Sequence, residues 1–278
     1  QTHGIEQAGK FGMLVDRQRL RARLGKIANV LAPESEKFSG NALLEAAAEG
    51  IFLTNYAFTR LKGESLKDNP TVLLEKVTFL DQENGKLSFL ERLLTISSGV
   101  HFARDWVNTN ADDKTADILA KAASEFSKEY PKIETTIFDK KRLEQEKMGL
   151  LLAVNRGAAT EPRLIISSYE GDPSSKEKIV LVGKGMSYDT GGLNLKVGDG
   201  MLTMKCDMAG AAAALAAVRT AAALNLKVNV AAVVPVAENC IDAHSYKPGD
   251  VYKAYNGKTV EITNTDAEGR LILADAMS

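Results

Sequence analysis

The sequence predicts an α/β protein with a small N-terminal α/β domain, a connecting helix and a larger three-layer α/β/α domain around a mostly parallel, mixed sheet. Two observations predict the larger domain. From about residue 106, apolar runs of strand length alternate with runs of helical periodicity. Several strand runs are apolar throughout, which is typical of strands covered on both faces. We place the N-terminal domain at 1–88, the connecting helix at 89–105 and the larger domain at 106–278.

The N-terminal part is predicted to mix helices and short strands. A first helix is expected over 19–32, where apolar residues recur at helical spacing: Leu20, Leu24, Ile27 and Leu31. A serine near the start of an apolar run predicts a second helix over 39–58. A strand at 75–81 and the long helix at 89–107 complete this part.

The larger domain is predicted to contain three helices, five strands and a hairpin. The expected helices cover 116–130, 140–149 and 208–225. The expected strands cover 133–139, 150–157, 163–171, 178–185 and 226–239. A hairpin over 250–263 is indicated by Asn256-Gly257, the pair that favours a type I′ turn.

Composition excludes several classes of protein. The 278 residues are 45% hydrophobic and 26% charged with a net charge of -1, so we expect no nucleic-acid partner. Two cysteines without a CxxC spacing, Cys206 and Cys240, fit a reducing cytoplasm. The apolar stretch Met208–Val218 is ended by Arg219 and is too short to cross a bilayer, so no membrane partner is expected.

Two polar segments follow predicted strands. Lys184, Asp189 and Lys196 lie in "GKGMSYDTGGLNLK", which follows the apolar run of the strand at 178–185. The segment "NTDAEGR" follows the hairpin. Because ligands of such folds bind beyond the carboxyl ends of the strands, we expect the two segments to face one another.

The segment "NTDAEGR" has two competing explanations. It carries Asp266, Glu268 and Arg270 at alternate positions, and in an extended chain these side chains point to one face. Helix capping explains the pattern equally well. Thr265 or Asp266 would then cap a helix that begins at Arg270, where acidic residues suit the N-terminus.

Each of the other candidates also has an ordinary explanation when taken alone. Asp207 precedes an alanine-rich helix and suits its N-terminus. Asp189 is typical of a turn. Lys184 and Lys196 could be solvated or could bind phosphate, but the order GxxxxGK[ST] of a P-loop is absent.

Together, three aspartates and a glutamate on separate loops indicate a site for two divalent ions bridged by shared carboxylates. The three histidines, His3, His101 and His244, lack ligand spacing, so a histidine-rich site is not expected. A lysine could join such a site as a ligand if its pKa fell well below the free value of about 10.4. Two nearby cations would favour that fall.

These residues bear a close resemblance to a known family. The segments "VGKGMSYDTGGLNLK", "MKCDMAGAAA" and "NTDAEGRL" resemble the cytosol (leucyl) aminopeptidases, which are two-metal exopeptidases. The family's functional residues fall at intervals of five, seven, eleven, fifty-nine, two and two. The same intervals separate Lys184, Asp189, Lys196, Asp207, Asp266, Glu268 and Arg270. The resemblance runs from Ala103 to Ser278 and is loose before about residue 100.

The resemblance implies a ligand set for two metals. Asp189, Asp266 and Glu268 would hold the more exchangeable ion, and Lys184, Asp189, Asp207 and Glu268 the tighter one. Asp189 and Glu268 would bridge the two ions. Asp266 would also bind through its backbone carbonyl.

The resemblance also implies catalytic and substrate-binding residues. Lys196 would polarise the substrate carbonyl and stabilise the tetrahedral oxyanion. Arg270 would hold a bicarbonate-like anion that acts as general base for a water bridging the metals. Met204 would line an apolar pocket for the first side chain, and Asn264 would support substrate binding beside the ligands.

Further expectations concern the whole protein. The ions would be zinc, manganese or magnesium. The substrates would be peptides with a free N-terminus, with preference for leucine-like residues, and the assembly a cytoplasmic homohexamer. The chain begins at Gln1 and stops at Ser278 within a predicted helix, so we expect a fragment whose continuation completes the sheet and the pocket.

Three alternatives remain open at this point. A non-catalytic scaffold would predict substitutions among the seven residues, and none is seen. A DNA-binding relative would predict a basic surface. A two-metal phosphoesterase would be favoured if Lys196 and Arg270 were absent at this spacing.

Overall fold

The structure is a computed structural model that describes residues 27–31, 40–68, 70–71, 73–80 and 88–278. The chain divides into two compact units, Gln1–His101 and Phe102–Ser278. A helix over Phe89–Asn108 crosses this division, where the sequence predicts a long helix. The predicted domain boundaries stay predictions.

Unit 1 contains two parallel strands and helices. The strands are β1 (Ile27–Leu31) and β2 (Lys76–Leu80). The helices are α1 (Gly40–Thr54), α2 (Ser65–Asp68) and the first part of α3 (Phe89–Asn108). The Asn55 side chain, just after α1, bonds both the N–H and the carbonyl of Leu74 at 2.8 and 3.0 Å. This pair of bonds fixes the chain that leads into β2.

The helix predicted over 19–32 is wrong for its last residues. Residues Ile27–Leu31 form strand β1, which pairs in register with all five residues of β2. Ile27 and Val30 are β-branched and suit a strand, and the backbone pairing outweighs the apolar spacing that suggested a helix. Leu20 and Leu24 lie outside the described residues.

Unit 2 holds the remaining helices and strands. The helices are α4 (Ala116–Glu129), α5 (Lys140–Gln145), α6 (Gly149–Val154), α7 (Ala209–Ala223) and α8 (Glu268–Ala276). The strands are β3 (Ile133–Phe138), β4 (Arg163–Glu170), β5 (Ile179–Val182), β6 (Gly185–Asp189), β7 (Asn229–Asn239), β8 (Val251–Lys253) and β9 (Thr259–Glu261). Short 3₁₀ turns cover Asp112–Lys114, Asn155–Gly157, Gly198–Met201, Met204–Cys206 and Thr265–Ala267.

A mixed five-stranded sheet forms the centre of unit 2. Its order is β3–β4–β7–β5, and β6 also pairs with β7. Strands β5 and β6 run parallel to β7, whereas β3 pairs antiparallel with β4 and β4 with β7. The predicted mixed α/β fold is confirmed. Within this sheet, the parallel pairings are those of β5 and β6 with β7. Alternation of helices and strands in the sequence does not by itself set strand direction.

Helices cover both faces of this sheet. On one face, α4, α7 and the end of α3 pack against alternate residues of the long strand: Val230, Ala232, Val234 and Val236 of β7. On the other face, α5, α6 and α8 pack with Leu164, Met186 and Ala237. Successive residues of a strand point to opposite faces, so β7, covered on both faces, is apolar from Val230 to Ala237.

Residues 150–157, predicted as a strand, form helix α6 and the 3₁₀ turn after it. Leu150, Leu151 and Val154 are fully buried along one side of this helix. A short apolar run fits a buried strand and a buried helix equally well. The group that caps α6 lies far away in the sequence, so no local signal identified the helix.

The hairpin predicted over 250–263 is confirmed as β8 and β9, but the type I′ turn is wrong. A type I′ turn needs positive φ at both central residues. Here Gly257 has φ +87° and Asn256 does not have positive φ. The bonds Ala254 N–H to Lys258 O at 2.8 Å and Gly257 N–H to Ala254 O at 2.9 Å define a longer, three-residue loop.

One segment among the described residues, Gly198–Ala223, is long and apolar enough to cross a membrane by length and composition alone. In the fold it comprises two 3₁₀ turns and helix α7, and eight residues of α7 are buried. Its apolar character is therefore that of a core helix.

A buried carboxylate joins the hairpin to two helices. Asp275 of α8 accepts hydrogen bonds from Leu150 N–H and Leu151 N–H at 2.9 and 3.0 Å, at the start of α6. Its other oxygen accepts from Tyr255 N–H at 2.9 Å. Burial raises the pKa of Asp275, and the three backbone donors lower it only in part.

We expect Asp275→Ala to lower the free energy of unfolding by about 2–4 kcal/mol, because it leaves buried backbone N–H groups without an acceptor. As a control, Asp139→Ala removes an exposed cap of α5 that accepts from Arg142 N–H at 2.8 Å and should cost about 1 kcal/mol. Urea unfolding followed by the fluorescence of Trp106, the single tryptophan, measures both. Equal losses in the two variants would contradict this ranking.

The end of α3 is closed by a buried lysine. Lys114 is fully buried, and its ammonium donates to Trp106 O at 2.8 Å and Val107 O at 3.2 Å. A positive charge suits the carbonyls at a helix C-terminus. Burial, together with the nearby charge of Lys205, lowers the pKa of Lys114 to about 8.

We expect the stability of the wild type to rise with pH relative to Lys114→Met between about pH 8 and pH 10.5. In that window the unfolded chain holds a proton on Lys114 that the folded chain has lost, so the slope is positive, up to about 1.4 kcal/mol per pH unit. Urea titrations of both proteins at several pH values measure it. Parallel pH profiles would show that the prediction is wrong.

Candidate metal centre

The candidate residues are held at the ends of strands and at the starts of helices. Lys184 lies in the two-residue gap between β5 and β6, and Asp189 is the last residue of β6. Asp207 directly follows the 3₁₀ turn Met204–Cys206. Asp266 and Glu268 lie in the 3₁₀ turn and first helical residue after the hairpin.

Close packing of two glycines sets the position of Lys184. A Cβ on Gly183 would lie 2.5 Å from Gly210 O, so no larger side chain fits there without a shift of the backbone. The carbonyl of Lys184 accepts from Ala211 N–H in α7 at 2.9 Å. The two residues between β5 and β6 are therefore hydrogen-bonded to the first turn of α7, the helix that follows Asp207.

Two lysines bring the four carboxylates together. The Nζ of Lys184 lies 2.7 Å from Asp207 Oδ2 and 2.6 Å from Glu268 Oε1. The Nζ of Lys196 lies 2.9 Å from Asp189 Oδ2 and also pairs with Asp266 Oδ1. Each ammonium therefore joins two carboxylates that come from different loops.

Burial sets the electrostatics of this centre. Asp189 and Glu268 are each 1% exposed. Burial raises the pKa of Glu268 and of Asp207, and the charge of Lys184 counteracts it only in part. Cationic partners favour the ionised form of Glu268 and Asp207.

For the two lysines, the ion pairs outweigh the effect of burial on the pKa. Burial alone would lower the pKa of Lys184, but its ion pairs with Asp207 and Glu268 outweigh burial and the pKa is raised. The pKa of Lys196 is likewise raised, because Asp266 and Asp189 outweigh the effect of burial. The expectation of a neutral Lys184 applies to a metal-bound centre and stays a prediction.

The arrangement fits a divalent metal. Within the described part of the chain, Asp189, Asp266 and Glu268 each offer an oxygen, and these three oxygens lie within 4.8 Å of one another. Glu268 Oε2 is buried and has no hydrogen-bond partner among the described residues. A buried carboxylate oxygen in that state is suited to a metal ion.

The expectation that the segment "NTDAEGR" is extended is wrong. Asp266 and Glu268 do not lie in an extended chain, because Thr265–Ala267 is a 3₁₀ turn and Glu268 begins α8. Their carboxylates still converge. The capping explanation is also wrong, because the helix begins at Glu268 rather than Arg270 and its N-cap residue is Ala267, which makes no side-chain cap bond. Asn264 caps the preceding 3₁₀ turn, and its side chain accepts from Asp266 N–H at 2.7 Å.

The remaining candidates lie close in the sequence to the carboxylate residues. Met204 begins the 3₁₀ turn that leads to Asp207 and is partly buried. Asn264 and Arg270 are exposed, and Arg270 lies in the first turn of α8. Of the histidines, His244 is exposed, His101 lies in unit 1 and His3 falls outside the described residues.

The sequence did not reveal a group of polar side chains beside the carboxylates: Asn239, Tyr246 and Thr265, which are buried, and Asn194, which is exposed. Thr265 Oγ1 donates to Gly191 O at 2.7 Å and accepts from Asn194 N–H at 2.8 Å. These bonds tie the loop after β6 to the segment after the hairpin. Of these residues, Asn239 alone carried a local signal, as a polar residue at the end of an apolar strand.

Comparison with known proteins places this fold and centre in one family. The family model described as "Cytosol aminopeptidase family, catalytic domain" matches residues 101–278. A probable cytosol aminopeptidase of Protochlamydia amoebophila is 52% identical over 91% of this chain and 51% of its own length. A probable cytosol aminopeptidase of Chlamydia abortus is 48% identical over 82% of this chain and 46% of its own length.

Two solved structures have the same fold. The bottromycin maturation enzyme BotP in complex with Mn superposes with a TM-score of 0.84 at 28% identity, covering 98% of this chain and 56% of that one. The 1.8 Å crystal structure of the cytosol aminopeptidase from Coxiella burnetii superposes with a TM-score of 0.81 at 33% identity, covering 98% of this chain and 55% of that one.

The fold and the centre define an α/β protein with a carboxylate and lysine site suited to divalent ions. The chain belongs to the cytosol aminopeptidase family. It spans about half the length of the curated relatives it matches.

Gly269 offers a test of the centre that spares the fold. A Cβ at this position in α8 would lie 2.7 Å from Lys184 Cε and 2.9 Å from its Nζ, so the flexible lysine would have to move. We expect Gly269→Ala to remain folded, because alanine favours a helix by up to about 1 kcal/mol and offsets part of the cost of moving Lys184. The affinity for Mn²⁺ should fall by about tenfold or more.

Calorimetric titration with Mn²⁺ measures this affinity. The matched control is Gly200→Ala, where the nearest atom to a new Cβ is Lys196 Cβ at 3.8 Å and no displacement is required. Unchanged Mn²⁺ affinity in Gly269→Ala would show that the position of Lys184 does not matter for the centre.

Proposed function

We propose that this chain carries the metal and catalytic centre of a metal-dependent aminopeptidase that removes N-terminal, preferentially leucine-like residues from peptides. One observation carries the proposal. Four carboxylates and two lysines from separate loops converge, and each lysine contacts two carboxylates. Membership of the family supports the reaction class.

The donor set suits two divalent ions, zinc or manganese and also magnesium. Asp189, Asp266 and Glu268 would hold one ion, and Lys184, Asp189, Asp207 and Glu268 the other. When bound, such ions polarise a carbonyl and lower the pKa of a bound water. The bound manganese of BotP supports a divalent ion in this fold.

Lys196 is the residue that contacts the substrate carbonyl in this proposal. Asp189 and Asp266 hold its ammonium, and 16% of its side chain is exposed, which leaves it accessible to a substrate. Because those carboxylates raise its pKa, its Nζ stays protonated at neutral pH. A fixed positive charge at this position stabilises the oxyanion that develops during amide hydrolysis.

Arg270 and two further residues complete the assignment. The guanidinium of Arg270 is exposed in the first turn of α8 and would bind a bicarbonate-like anion that accepts a proton. Met204 would line the pocket for the first side chain of the substrate. Asn264 would hold the backbone of Asp266 in place through the bond to its N–H.

The proposal extends to the setting of the whole protein. The substrates are peptides with a free N-terminus, the assembly is a homohexamer and the compartment is the cytoplasm. The names of the cytosol aminopeptidase relatives support the peptide substrates and the compartment. The scaffold, DNA-binding and phosphoesterase alternatives gain no support from the centre, because all seven proposed residues are present.

Asp266→Ala tests the assignment directly. In the full-length protein with Mn²⁺, we expect hydrolysis of leucine p-nitroanilide to fall by more than about 100-fold, because a proposed ligand is lost. The control is Asp117→Ala, which removes an exposed carboxylate that pairs with Lys121 at 2.9 Å. This control should keep its activity.

Initial rates with and without added Mn²⁺ measure both variants. A fully active Asp266→Ala protein would break the metal assignment. No hydrolysis of the amide by a folded wild type with any of the three metals would overturn the aminopeptidase proposal itself.

A further inference from the structure

We propose that Asn239 is a positioning residue that sets the separation of the Asp189 and Asp266 carboxylates, and with it the affinity of the centre for a divalent ion. The inference rests on the proposed function, because it assigns a shared cation to these two carboxylates. Asn239 is the last residue of β7 and is fully buried.

The amide group of Asn239 bridges the two loops. Its Nδ2 donates to Asp189 Oδ1 at 2.8 Å and to Thr265 O at 3.0 Å. The backbone carbonyl of Asn239 accepts from Thr190 N–H at 3.0 Å and from Thr190 Oγ1 at 2.7 Å. Asn239 is therefore held by the backbone on one side and joins two elements of the centre on the other.

The bond from Asn239 fixes the rotation of the Asp189 carboxylate. Asp189 Oδ1 also accepts from Gly191 N–H at 2.9 Å, so two donors hold this oxygen. The other oxygen, Oδ2, is left facing Lys196 at 2.9 Å. The two donors to Oδ1 therefore determine that Oδ2 faces the centre.

The second bond from Asn239 fixes the backbone that carries Asp266. Thr265 O also accepts from Tyr246 Oη at 2.6 Å. The N–H of the same peptide group, on Asp266, donates to Asn264 Oδ1 at 2.7 Å. Both polar ends of this peptide group are held, so the Asp266 side chain departs from a fixed Cα.

Asn239 is poorly explained as a residue that only adds stability. Its Oδ1 is buried and has no hydrogen-bond partner among the described residues. That oxygen lies against Gly192, where a Cβ would come within 2.8 Å. Burying an amide with one half unsatisfied costs free energy. The cost is consistent with a role in holding Asp189 and Thr265 in register.

The same strand supplies a matched control. Asn229, the first residue of β7, is 6% exposed. Its Oδ1 accepts from Asp172 N–H at 3.0 Å, and its Nδ2 donates to carbonyls of Asp172, Ser175 and Glu177 at 2.8, 3.0 and 3.2 Å. Asn229 lies about 33 Å from Asn239 along the strand, so its loss tests stability without touching the centre.

The experiment compares Asn239→Ala with Asn229→Ala and the wild type. The dissociation constant for Mn²⁺ is measured by calorimetric titration, and urea unfolding gives the folded fraction used to correct it. We expect Asn239→Ala to weaken Mn²⁺ binding by about 10- to 100-fold, as is typical when a partner that orients a ligand is removed. Asn229→Ala should lose stability and keep its affinity within about twofold.

A second variant keeps the inference testable should Asn239→Ala fail to fold. Tyr246→Phe removes one donor to Thr265 O and retains the buried ring, so the fold is kept. Its Mn²⁺ affinity should fall by about 3- to 10-fold, as expected for one lost hydrogen bond.

The outcomes separate this inference from the proposed function. Mn²⁺ binding by the wild type with equal affinity in the folded Asn239 and Tyr246 variants overturns this inference alone. Equal weakening in Asn229→Ala also overturns it, since the effect would then follow stability. Absence of Mn²⁺ binding by the folded wild type overturns the proposed function, and this inference with it.

Discussion

Charge balance among buried groups is the constraint on which this centre depends. Four carboxylates meet at this centre, where burial raises the pKa of Asp207 and Glu268, and two ammonium groups offset their charge. Each ammonium joins carboxylates from separate loops, so neutralisation and positioning are achieved by the same contacts. Removal of one partner from such a group leaves a buried charge without compensation, which is more costly than the loss of a single surface pair.

The sheet explains how distant parts of the sequence reach one pocket. Strands β5, β6 and β7 are parallel, so the segments after them emerge at one edge. The gap between β5 and β6 places Lys184 beside α7 instead of within the ladder of strands. The hairpin then returns the chain to this edge before α8. The family description covers the part of the chain that contains all of these elements.

Much of this arrangement could be predicted from the sequence, because strand ends, acidic residues and their spacing are local signals. What could not be predicted depends on partners far apart in the chain. The sequence predicts a strand where α6 forms, because the residue that caps this helix, Asp275, is distant. Strand β1 was taken for a helix because its pairing with β2 is not local. Asn239 was read only as the end of a strand, since its two partners lie on other loops.

The carboxylate that caps α6 also orders events during synthesis. Asp275 follows Leu150 by 125 residues, so the start of α6 has no acceptor until that later segment has been made. At ribosomal rates of roughly 5–20 residues per second, the delay is roughly 6 to 25 seconds. During this interval the helix layer formed by α5, α6 and α8 is incomplete and one face of the sheet lacks part of its cover. The growing chain therefore passes through a stage in which apolar strand surface is open to chaperones or to other nascent chains.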